Sequence, residues 1–138
     1  MTDPALKLRT EDAEDLAVLA ACLQDSLIAV CDMTYLATEQ RFVFVANRFK
    51  WEQLSDDLPS RTLSGVTVEA VTGVRRRGFD PREKEAILSL LTLLPVEGGL
   101  ELTFAGGAAI RLETASISVR MQDLGDDWPT QWQPSHTA

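Results

Sequence analysis

The 138-residue chain is poor in the residues that most often advertise chemistry. It has a single histidine, His136, and two cysteines, Cys22 and Cys31. Four good zinc ligands are not easily assembled from these, and neither cysteine lies in a Cys-x-x-Cys. Both cysteines are read as reduced and half-buried, one on a helix and one on a strand. His136 stands close to the C-terminal end, a poor place for a positioned base, so Ser-His and Cys-His catalysis is not expected. Ser26, Ser64, Ser116 and Ser118 lack the G-x-S-x-G elbow. Positive charge is also scarce: 13 Lys and Arg stand against 21 Asp and Glu, a net charge of -8. That balance disfavours nucleic acid and anionic membranes as partners, because repulsion opposes approach. No apolar run reaches the roughly 18 residues of a membrane span. The acidic N-terminus has no apolar core of a signal peptide. The expected compartment is the cytoplasm, and nothing calls for a cofactor or a metal.

What is present is a clear β pattern. The length suits one domain, expected over residues 1–125 with a partly disordered tail at 126–138. Leu100, Leu102 and Phe104 alternate with polar residues, and so do Ile110 and Leu112 after Gly106-Gly107. Alternation on both sides of a Gly-Gly turn predicts a β-hairpin. The same glycines match no phosphate-binding spacing, and no helix clearly follows them. Leu6 and Leu8 suit a short first strand. Thr10 or Asp12 can cap a helix whose acidic first turn suits the helix dipole. Leu16, Leu19, Ala20 and Leu23 then recur at helical spacing, which predicts a helix over 11–24.

Segments 26–36 and 41–49 read as a second hairpin. Phe42 to Val45 is apolar in both phases, as in a central strand covered on both faces. Residues 54–62 read as a loop. Residues 63–74 read as a strand whose apolar phase slips beside Gly73, the mark of a bulge or bend. Asp80-Pro81-Arg82-Glu83 reads as a helix start. Segment 87–94 fits either a helix or a buried strand, with one helical turn followed by a strand preferred. Segment 116–121 fits both as well.

Two stretches draw attention as surfaces. Asn47, Phe49 and Trp51 share one strand face, with Arg48 and Lys50 on the other. Aromatics beside arginine are typical of interface hot spots, although Phe49 and Trp51 can equally cover an edge of the core. Arg75, Arg76 and Arg77 are the densest positive charge in an acidic chain. On a strand, Arg75 and Arg77 share a face and Arg76 takes the other. Guanidinium groups suit carboxylate or phosphate, but the same arginines can simply pair with surplus surface acids. The candidate binding residues are therefore Asn47, Arg48, Trp51, Arg75 and Arg77. Asp32, Tyr35, Glu52, Glu101 and Glu113 could supply acid–base groups, but their spacing pairs none of them.

Several segments taken together also resemble a known family. They are Leu6-Lys7-Leu8, Glu14-Asp15-Leu16, Asn47-Arg48-Phe49-x-Trp51-Glu52, Arg75-x-Arg77-Gly78, Phe104-Ala105-Gly106-Gly107-x-x-Ile110-Arg111-Leu112-Glu113 and Asp123-Leu124-Gly125. In this order they resemble a small bacterial family, domain of unknown function 2948. The resemblance implies a one-domain cytoplasmic bacterial protein and brings no catalytic residues.

The fold class expected is α+β: one N-terminal helix on a curved, mainly antiparallel sheet of six to seven strands. A pleckstrin-homology-like roll is the specific form entertained. The antiparallel expectation rests on short hairpin connections, which parallel strands cannot use. The function expected is a non-catalytic binding or adaptor domain. Its partner would be an unknown protein or a small anion, and it could be a homodimer. The alternatives are an enzyme on a small anionic metabolite, and a weak binder of single-stranded nucleic acid through arginines and aromatics.

Overall fold

A computed structural model of the chain describes residues 7–49, 60–124 and 128–129. It begins with β1 (Lys7–Thr10) and α1 (Ala13–Leu23), the single α-helix among the described residues. Asp12 is the N-cap: its carboxylate accepts the Asp15 N–H at 2.8 Å. Glu14 and Asp15 supply the acidic first turn. Removing this cap, Asp12→Ala, is expected to lower stability by about 0.5–2 kcal/mol. Urea unfolding should report it as a lower midpoint with an unchanged slope.

Apart from short 3-10 turns, the remaining described elements are strands: β2 (Leu27–Ala29), β3 (Met33–Leu36), β4 (Arg41–Phe49), β5 (Ser60–Val68) and β6 (Val71–Arg77). They continue as β7 (Ile87–Val96), β8 (Gly99–Phe104), β9 (Ala109–Thr114), β10 (Val119–Asp123) and β11 (Trp128–Pro129). All pairings are antiparallel. The order is β1-β10-β5-β4-β2-β7-β8-β9-β6, with β3 beside β4 and β11 beside β5. The α+β class and the antiparallel sheet are therefore as expected. The strand number is not: among the described residues the sheet has 11 strands rather than six or seven. The excess comes from short pieces. The apolar stretch 26–36 is broken by a 3-10 turn at Val30–Asp32 into β2 and β3, and alternation alone does not mark such a break.

Other boundaries moved for local reasons. The stretch 63–74 is two strands, because the chain reverses at Glu69-Ala70 with Ala70 at φ 57°. The phase slip beside Gly73 is real: the β6–β9 register shifts between Val71 and Gly73. Segment 60–62, expected in a loop, already belongs to β5. After Asp80 there are turns but no helix. The Asp80 carboxylate accepts the Arg82 N–H at 2.9 Å and also binds the Arg82 guanidinium, which together hold its pKa below the usual carboxylate value. Both helix-or-strand ambiguities resolve to strand, at β7 and, from Val119, at β10. Cys31 lies in the 3-10 turn and is exposed, not half-buried on a strand; neither cysteine is in a disulfide.

The core explains the curl of the sheet. Phe42, Phe44, Val66, Val68 and Met121 from one half form one cluster with Leu100, Leu102, Phe104, Ile110 and Leu112 from the other. The two halves must therefore face each other. β7 joins them, because Ile87–Ser89 pairs with β2 and Leu90–Val96 with β8. Helix α1 seals one side with Leu16, Leu19, Ala20 and Leu23, packing on β7, β1 and β4. Each such aliphatic or aromatic side chain taken out of water contributes about 1.5–3 kcal/mol. β4 is central, as its sequence implies. Phe42 and Phe44 are buried in the core, while Val43 and Val45 on the other face are only half-covered. The predicted β8–β9 hairpin is present. It turns through Ala105–Gly107, with Gly106 and Gly107 both at positive φ, where glycine carries no Cβ penalty.

Candidate functional site

The two stretches singled out in the sequence meet different fates. Arg48 is not on a surface. In β4 the even-numbered residues from Phe42 onward face the core, and Arg48 is 0% exposed. Its Nε and Nη2 donate to both carboxylate oxygens of Asp123, each at 3.0 Å. The Nε also meets Ser64 Oγ at 3.0 Å, and that hydroxyl donates to Asp123 Oδ1 at 2.6 Å. β4, β5 and β10 are thus tied together by one buried charged unit. Its logic is that a guanidinium buried away from water needs a paired carboxylate and satisfied N–H groups. The expectation that Arg48 takes a ligand on an exposed face is corrected on this ground.

Asn47 and Phe49 face outward and are half-buried. The Arg61 guanidinium donates to the Asn47 carbonyl at 3.1 Å and lies 5.8 Å from the Phe49 ring centre. Burial lowers the Arg61 pKa from its ordinary value, with nearby Asp25 acting in the opposite direction. Trp51 and Lys50, the remaining members of that group, lie outside the described residues, as does most of the 126–138 tail. Within the tail, Trp128 and Pro129 pair with Arg61 and Ser60 of β5.

The second stretch is a surface. β6 ends the strand order, and Arg75, Arg76 and Arg77 are all exposed. The register with β9 places Arg75 directly opposite Arg111, Arg77 opposite Ala109, and Arg76 opposite Ile110. On the far side of β9, Arg111 is opposite Glu101 of β8. Arg75, Arg77 and Arg111 therefore share the outward face with Glu101 and Glu113. Arg75 Nε stands 3.4 Å from Glu113, and Arg77 Nη2 stands 3.6 Å from Glu101. The Arg77 side chain spans β9 at its smallest outward residue, Ala109. Arg111 donates to the Glu97 backbone carbonyl rather than to a carboxylate. Arg76, on the other face, has no carboxylate partner among the described residues. A shallow hollow of about 310 Å³ lies among Arg75, Arg76, Arg77, Glu101, Ala109 and Arg111.

Like charges set directly opposite each other across a strand pair are destabilising. The Arg75–Arg111 pair is such an arrangement, and its local carboxylates only partly offset it. A second arginine pair lies elsewhere. Arg9 and Arg120 are also opposite one another, beside a hollow of about 440 Å³ on the face of β1, β10 and β5. There the charges are matched: Arg120 meets Glu69 at 2.6 Å and Arg9 meets Glu11 at 3.4 Å. The β6–β9 face keeps three arginines against two glutamates.

The sequence singled out Arg75 and Arg77 and the face they share. It did not single out Arg111. The hairpin register alone would have set Arg111 opposite Glu101, but only the β6–β9 pairing brings it to Arg75. Asn47 and Arg75 do not meet; they lie on outward faces of opposite halves of the sheet. Among the described residues no group of three or more His, Cys, Asp or Glu could hold a metal ion, and no helix is long and apolar enough to cross a membrane.

No curated protein and no solved structure matches the chain. The family model described as a protein of unknown function (DUF2948) matches residues 6–136.

Proposed function

Because the chain belongs to this family of unknown function, whose model spans nearly its whole length, we propose its function from the site alone: a non-catalytic binding domain that takes an anionic partner on the β6–β9 face. The observation that carries this reading is the Arg75–Arg111 pair on an exposed edge, with Arg77 beside it, in a chain of net charge -8. Isolated surface ion pairs contribute only about 0–1 kcal/mol each. Arg75 and Arg77 have side chains 74% and 70% exposed, and their ion pairs are long. Each guanidinium therefore keeps donors for a carboxylate or phosphate, which it can hold bidentately. Both outward carboxylates beside the arginines are engaged by them. That favours binding over proton transfer by a free acid–base residue. A curved sheet with a capping helix, of which a pleckstrin-homology-like roll is one form, suits a binding scaffold of this kind. The working environment we propose is the bacterial cytoplasm.

The test is an amide-shift titration by NMR at low salt, with pyrophosphate and with a hexaglutamate peptide as probes. Shifts should cluster on residues 75–77 and 109–111, fade as salt rises, and vanish in Arg75→Ala/Arg77→Ala. Silence of these amides towards both probes would end the reading.

A further inference from the structure

We infer that the partner of this face is an extended acidic segment of another polypeptide, which joins the sheet as a strand on the open edge of β6. The inference rests on the reading of β6–β9 as an anion-binding face and names the class of partner. Three observations carry it. First, among the described residues β6 pairs with β9 on one side only. At its start the edge is engaged, because the Val71 N–H donates to the Gln40 carbonyl and the Val71 carbonyl accepts from the Tyr35 hydroxyl. Further along, towards Arg77, alternate N–H and C=O groups point away from the sheet, and such an edge is a template for one more strand.

Second, the arginines stand on both faces of this strand. Arg75 and Arg77 point outward, and Arg76 points to the opposite face with no carboxylate near it. A compact anion in the hollow would meet the arginines that line it, Arg76 among them, but would make no use of the strand's hydrogen-bonding edge. A strand added alongside sets one residue directly opposite each of the three. Directly opposed residues share a face, so three consecutive acidic residues meet Arg75, Arg76 and Arg77 in turn. Arg75 and Arg77 recur at roughly 7 Å along the strand, and so would the first and third acids.

Third, the same charges exclude the competing strand partner. A second copy of this chain pairing β6 with β6 would bring arginine against arginine along the edge, which is the usual way natural edges are protected. An acidic strand turns that repulsion into attraction. The edge therefore rejects its own copy and admits its charge complement.

The experiment uses the full chain with two peptides: acetylated Thr-Val-Glu-Glu-Glu-Val-Thr amide, and the same sequence N-methylated at every residue. Charge is identical, but the second cannot donate backbone hydrogen bonds. The inference expects the first to bind about tenfold tighter or better, as the loss of two or more net hydrogen bonds implies. It also expects the first to slow hydrogen exchange of alternate amides between Val74 and Arg77. Equal affinity for the two peptides would overturn strand addition while leaving the anion-binding face intact. Pyrophosphate binding at Arg75 and Arg111 with neither peptide bound would do the same. Failure of every probe would take both readings down.

Discussion

Arg48→Ala is expected to destabilise the fold by about 3–5 kcal/mol, because it takes the two-pronged guanidinium away from a buried carboxylate. Asp123 is only 5% exposed, and Arg48 and Ser64 are among its partners. Asp123→Ala should be comparably severe, since it strands the guanidinium instead. The size of the loss measures a penalty for breaking the unit, not what the unit contributes when whole. The companion variant separates the two. Arg48→Met/Ser64→Ala/Asp123→Leu removes both charges and the bridging hydroxyl together. It should be more stable than Arg48→Ala alone, as apolar replacement of a whole buried pair is often neutral or better. Urea unfolding of the three proteins decides the matter. A triple variant as unstable as the sum of its parts would show that the charges themselves hold β4, β5 and β10 in register.

Gly99→Ala should come next in severity, at about 2–4 kcal/mol. Its backbone is not in the left-handed region, so conformational freedom is not the reason. The reason is space: a Cβ there would sit 2.0 Å from the Leu112 carbonyl oxygen and 3.2 Å from the Glu113 Cα. These are backbone atoms of β9, so no side-chain rotation relieves the contact. The β8–β9 ladder would have to open. Gly106→Ala is the control. Gly106 has φ 86° but nothing within 4 Å of a Cβ, so only the backbone penalty of about 1–2 kcal/mol applies. If Gly99→Ala proves milder than Gly106→Ala in thermal or urea unfolding, the close β8–β9 approach is not a tight constraint. Such a loss at Gly99 would also loosen β9, and with it Arg111, without touching an arginine.

These two sites show where reading the chain alone succeeds and stops. The β8–β9 hairpin was legible because its information is local: two alternating runs and two glycines at positive φ. The helix was legible because Leu16, Leu19, Ala20 and Leu23 lie within three turns and Asp12 precedes them. The outward face shared by Arg75 and Arg77 was legible for the same reason, since alternation needs only neighbours. Arg48 was not. On a strand of alternating residues, a charged side chain inside the apolar phase reads as the start of an exposed end. Only the arrival of Asp123, 75 positions later in the chain, and of Ser64 from β5 makes burial tolerable.

The chain by itself thus determined the helix, the β8–β9 hairpin, the antiparallel sense of its hairpins and the alternation of faces along its strands. It also determined the excess of negative charge against which one arginine run stands out. Tertiary structure decided the rest. It curled the sheet so that two halves share one core. It broke the apolar run 26–36 with a 3-10 turn. It drew Arg48 inward, and it set Arg111 opposite Arg75 at an open edge. The physical reason is the same in each case. Local steric and hydrogen-bonding preferences act over a few residues, while pairing between distant strands is settled by which register buries the apolar phase of both and leaves no charge inside without its partner.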